Sequence, residues 1–120
     1  MSDVRFMPST QVSLRRPEVV RLDFDFGSYE LGGDECRELI RILRLRGDRP
    51  GGEVELACAY RLEAILDGAA DVRSLGGATE AQLDAIAEAA WAWLQRVGPE
   101  TCPERVLVLL DVLRARHVHE

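Results

Sequence analysis

The sequence predicts an α+β domain: a small antiparallel sheet of two or three N-terminal strands packed against about four helices. Three observations carry that expectation. Val20, Leu22, Phe24 and Phe26 alternate with Arg21, Asp23 and Asp25, the period of a strand with one buried face. From Asp34 onward the apolar residues recur instead at the i, i+3, i+4, i+7 spacing of amphipathic helices. Gly47, Gly68 and Gly98-Pro99 punctuate those stretches where a chain leaves a helix.

The 120 residues are read as one domain, with 1–33 supplying strands and a hairpin and 34–120 the helical part, because a chain of this length builds one core. A composition of 47% hydrophobic and 30% charged residues is that of a globular protein. No repeat and no low-complexity segment interrupts it.

Taken in order, Val12 and Leu14 alternate with polar residues between Pro8 and Pro17, which suggests a short edge strand. The strand through Val20 to Phe26 follows. Gly27-Ser28 has the chemistry of a tight two-residue turn, and a hairpin there pairs Phe26 with Tyr29 and Phe24 with Leu31. The same register sets Asp25 opposite Glu30 on the other face, so that face is acidic and calls for solvent or a basic partner.

Asp34 is the expected N-cap of a first helix carrying Cys36, Leu39, Ile40 and Leu43 on one stripe and ending at Gly47. A second helix, about Glu53 to Asp67, carries Val54, Cys58, Leu62 and Ile65. After a linker with a short extended piece around Val72, Thr79 and Gln82 form a capping box that opens a third helix, about Glu80 to Val97. Thr101 and Glu104 repeat the signature, with Pro103 in the first turn of a fourth helix reaching about Arg116. The run Val106 to Leu110 also reads as a buried strand, but the caps and the length favour helix.

Charge narrows the function classes. The net charge is −6, and nucleic-acid binding draws most of its affinity from positive charge, so the balance speaks against it. All fifteen basic residues are arginine and lysine is absent, a coding bias of GC-rich bacteria or their phages. The start of the chain lacks a secretory pattern, no stretch approaches the ~20 apolar residues of a membrane helix, and a cytoplasmic protein is expected. Cys36, Cys58 and Cys102 are odd in number and widely spaced, which suits reduced thiols.

Candidate chemistry is sparse. Asp23-Phe24-Asp25 resembles the alternate aspartates of haloacid dehalogenase sites, but a hairpin follows where those enzymes have a helix and there is no lysine, so the pair is read as strand carboxylates. Cys102 precedes a helix start, where dipole and free amides lower a thiol pKa, which makes it a candidate reactive thiol. His117 lies about 20 Å away along that helix, too far to serve as its base. His117 and His119 alternate on a terminal segment and form no fixed metal site. No metal, cofactor or catalytic set is expected.

Apolar surplus is the stronger signal. Leu83, Ile86, Ala90, Leu94 and Val97 share one arc of the third helix with Trp93 at its edge, whereas Trp91 falls among Glu80, Asp84, Glu88 and Gln95. On the fourth helix, Val108 and Val112 form a second stripe beyond Val106, Leu109, Leu110 and Leu113. The expected function is therefore a noncatalytic protein-interaction module, a homodimer or an accessory, inhibitor or immunity-type partner. Its interface would use Trp91, Val108 and Val112 with the acidic Asp23, Asp25 and Glu30. The alternatives are a small-molecule binder or minor enzyme with a pocket between sheet and helices lined by Tyr29, Tyr60 and Trp93, and a nucleic-acid-associated regulator.

Overall fold

In the computed structural model, which describes residues 19–68 and 75–116, two strands precede four helices. They are β1 (Val19–Phe24), β2 (Gly27–Gly32), α1 (Gly33–Gly47), α2 (Glu53–Leu66), α3 (Glu80–Val97) and α4 (Glu104–Ala115). The expected strand around Val12 and Leu14, the piece around Val72 and the tail histidines His117 and His119 lie outside the described residues.

The α+β class holds, and β1 and β2 form an antiparallel two-stranded sheet. Its turn falls at Asp25-Phe26, two residues earlier than the expected Gly27-Ser28. Gly27 instead leaves the turn, at φ 151°, and a Cβ there would sit 2.9 Å from the Tyr29 hydroxyl. The ring of Phe26 folds onto Phe24, with centroids 4.9 Å apart and planes within 10°. That stacking favours Phe26 at the hairpin tip over Phe26 in the ladder.

Tyr29 consequently pairs with Leu22 instead of Phe26, and Leu31 with Val20 instead of Phe24. Both are even shifts, so every side chain keeps its face. Val20, Leu22, Phe24 and Leu31 still point into the core. Glu30, however, stands opposite Arg21 and not Asp25, which replaces a like-charge pair by an opposite one.

The short turn also decides where the backbone points. A two-residue loop closes on a hydrogen-bonded pair, here Phe24 with Gly27, and such pairs alternate along an antiparallel ladder. Arg21, Asp23, Ser28 and Glu30 therefore turn their amides and carbonyls outward. The Leu75 amide meets the outward Asp23 carbonyl at 2.7 Å, and the Glu35 carboxylate accepts from the outward Gly32 amide at 2.7 Å.

That Glu35 contact also corrects the start of α1. Gly32 is the N-cap, and Asp34 lies within the first turn, paired with Arg37. Cys36, Leu39, Ile40, Ile42 and Leu43 bury the inner face. α1 and α2 then meet closely at a pair of glycines. A Cβ on Gly52 would lie 2.5 Å from the Cα of Gly47, and one on Gly47 would lie 2.7 Å from Cγ of Leu56.

α3 carries the expected capping box: the Gln82 amide donates to Thr79 Oγ1 at 3.1 Å and the Thr79 amide to Gln82 Oε1 at 3.0 Å. It packs on both α1 and α2, and α4 returns along α3 to touch β2. The residues Val106 to Leu110 are helical. Pro103, at φ −59° and ψ 141°, is the N-cap, so Glu104 is the first helical residue and Thr101 belongs to the preceding turn. Val106, Leu109, Leu110 and Leu113 are buried in one stripe and join the strand and helix residues in a single hydrophobic cluster. Among the described residues no helix is long and apolar enough to cross a membrane.

Candidate functional site

Among the described residues no polar or charged side chain is buried, so the chemistry available lies at the surface. The thiols illustrate the point. Burial pushes Cys36 up to about 12 and Cys58, with Glu55 adding to it, up to about 11. Cys102 is buried too, and desolvation together with the nearby Glu35 raises its pKa. Loss of water and the Glu35 charge thus act against the lowering expected at the helix start.

The residues named for a small-molecule pocket are dispersed. Trp93 is packed in the core, Tyr60 is 74% exposed on α2, and Tyr29 leans on Phe24 and Phe26 with centroids 6.2 and 6.3 Å away. Among the described residues no cavity is seen to bring the three together.

The six interface residues also separate. Trp91 is 37% exposed and lies beneath the guanidinium of Arg114, 4.3 Å from the ring centroid. It lines a small hollow of about 170 Å³ between α3 and α4 with Asp84, Glu88, Leu113 and Arg116. At 100° per residue, Arg114 stands about 120° around α4 from Val108, so tryptophan and valines occupy different flanks. Of the acidic residues, the Asp23 carboxylate accepts from Arg21 Nε at 2.7 Å and from Ser28 Oγ at 2.6 Å, and Asp25 accepts from the Gly77 amide at 3.0 Å. The outer sheet face is thus partly neutralised within the chain.

What the fold does bring together is Tyr29, Glu30 and Val108. They line an open groove of about 580 Å³ between β2 and the first turns of α4, completed by Arg21, Ser28, Glu104 and Arg105. Val108 is 45% exposed there, and Val112 lies half-buried one turn further on the same flank. The groove runs beside the outward backbone of Ser28 and Glu30, for which the described residues supply no hydrogen-bond partner. It therefore combines an apolar patch, side chains of both charges and a strand edge with no hydrogen-bond partner among the described residues.

Glu104 and Arg105 were missed by periodicity, because a charged helix face normally reads as solvated. The signal that could have found them is their position one turn before Val108. A second groove, about 590 Å³ between α1 and α2, has Ile40, Leu45, Leu56 and Leu66 among its apolar lining. Leu45 is 63% exposed. Leu45 and Leu56 both fall off the core stripes, which was the available clue. The arginines along this groove are engaged: Arg37 with Asp34, Arg41 with Glu38 and Arg44 with Glu63. Arg46 on the same helix reaches Glu88 at 3.6 Å.

No protein-family model matches the chain, and no curated protein or solved structure is significantly similar to it.

Proposed function

We propose that this chain is a noncatalytic cytoplasmic protein-interaction module that docks a polypeptide in the groove between β2 and α4. The observation that supports the reading is the conjunction at one place of the exposed Val108 with the outward amides and carbonyls of Ser28 and Glu30. Extended polypeptides recognise such places by adding a strand to a sheet edge, main-chain hydrogen bonds supplying affinity and neighbouring pockets supplying specificity. A two-stranded sheet is also marginal on its own, and a further strand strengthens it.

Burial of the thiols favours the same reading over an enzyme, since Cys36, Cys58 and Cys102 are all enclosed and desolvation raises the pKa of each. Trp91, already covered in part by Arg114, contributes less than its position in the sequence suggests.

The test is a photoreactive amino acid placed at Val108, combined with sedimentation of the unmodified chain. The expected product is a covalent adduct between Val108 and a polypeptide, either a second copy or another protein. A chain that stays monomeric at about 100 µM and gives no polypeptide adduct from Val108, in purified form or in host extract, is not an interaction module of this kind.

A further inference from the structure

The partner that best fits the groove is a second copy of the chain: we infer that two chains pair β2 against β2 in antiparallel fashion about a twofold axis at Tyr29, making one four-stranded sheet. This rests on the interaction reading above and adds its occupant, register and symmetry.

The register follows from the direction of the backbone. Only Ser28 and Glu30 point their amides and carbonyls away from β1 within the body of β2, while Tyr29 spends its own on Leu22. An antiparallel neighbour must present outward groups to outward groups. Centring the axis on Tyr29 sets Ser28 against Glu30 of the copy and Glu30 against Ser28 of the copy, so both hydrogen-bonded pairs form. Centring it on Glu30 would oppose two carboxylates directly, which is destabilising. Centring it on Ser28 would bring Glu30 against the hairpin tip at Phe26, which is already folded onto Phe24.

The side chains agree with the same axis. On the outer face Ser28, whose hydroxyl donates to Asp23 at 2.6 Å, lies opposite Glu30 of the copy, and Arg21 stands across from Glu30 within each chain. On the inner face, the two Tyr29 rings become cross-strand neighbours above the exposed Val108 of each α4. Twofold pairing requires a surface that complements itself. The groove satisfies this, because its two bases, Arg21 and Arg105, match its two acids, Glu30 and Glu104, although the whole chain carries a charge of −6. A strongly basic or strongly acidic partner gains little from such a balance, whereas a second copy presents the same mixture of charges.

Ser28→Pro is the decisive variant. Proline there removes an amide that points away from β1, so the hairpin ladder is retained while pairing with a neighbour is blocked. The expected result is a wild-type dimer by sedimentation and a Ser28→Pro chain with unchanged circular dichroism whose dimer dissociation constant is raised at least about tenfold. An independent arm avoids reliance on that variant's folding. Cα atoms of a non-hydrogen-bonded antiparallel pair lie about 4.5 Å apart, within disulfide range, so Tyr29→Cys should form an interchain disulfide on mild oxidation and Glu30→Cys should not. A wild-type dimer that Ser28→Pro leaves intact, or a Tyr29→Cys chain that does not cross-link, overturns this pairing. A monomeric chain whose Val108 adduct is to a different polypeptide overturns self-pairing while leaving the interaction reading standing. A monomeric chain with no adduct overturns both.

Discussion

Arg114 of α4 places its guanidinium 4.3 Å from the ring centroid of Trp91 on α3, so the tryptophan that periodicity assigns to the wet face is roofed by a cation from the neighbouring helix. Such a pair contributes about 0.5–1 kcal/mol at an exposed site. Arg114→Ala should cost about that much in denaturant unfolding. It should also move tryptophan emission to the red and increase acrylamide quenching, an effect that Trp91→Phe abolishes because Trp93 is buried in the core.

The close passage of α1 and α2 leads to a larger loss. Gly52→Ala forces a methyl group against the Gly47 backbone, where no side chain can swing aside. Overpacking of this kind costs about 1–3 kcal/mol, and a backbone neighbour places the variant at the upper end. Gly51→Ala makes the comparison informative: no atom lies within 4 Å of its Cβ position, but its φ of 86° still imposes strain. Urea midpoints should rank wild type above Gly51→Ala and Gly51→Ala above Gly52→Ala.

Thiol chemistry should report burial directly. With Cys36 held at about 12 and Cys58 at about 11, the folded chain keeps protons that the unfolded chain releases near 9. Stability is therefore independent of these groups below about pH 9 and declines as pH rises from there through the folded values. A disulfide reagent at pH 8 should label the native chain slowly and the urea-unfolded chain fully. Fast labelling of Cys102 in the native state would contradict its placement.

Acid should act through Glu38. Arg41 holds its carboxyl down to about 2 from the usual 4.5, with help from Arg96 across on α3 at 2.7 Å. A depressed folded pKa gives stability that is present above the unfolded value and is lost as pH falls through the folded one. The window is thus about pH 4.5 to 2. Because both arginines are half exposed, the effect is that of a surface pair, about 0.2–1 kcal/mol. Glu38→Gln should flatten the acid limb of a pH–stability curve by that amount.

Local chemistry made most of the helical half legible. The Thr79 and Gln82 box placed the start of α3 because a capping box satisfies its amides from within the same turn. The turn of the hairpin was less legible, because Gly27-Ser28 and Asp25-Phe26 are both workable loops and the choice rests on the Phe26 ring finding Phe24. Thr101 failed as a cap for a similar reason: the rigid φ of Pro103 starts the helix after it. The groove was half visible, since Val108 and Glu30 stood out by pattern, but their adjacency depends on how α4 crosses β2, which no local spacing encodes. Trp91 looked separate from its neighbours because the residue that covers it comes from another helix.

Two parts of this chain close from neighbours in sequence, the β1–β2 hairpin and the α1–α2 pair sealed by its glycines, and their loop-closure entropy is small. The seating of α4 on β2 joins opposite ends of the described chain and closes the longest loop. In an opening equilibrium that join is the natural first to part, before either local pair melts. The groove would then vanish while most of the helical content survived, and whatever occupies it would act as a clasp between the two ends of the fold.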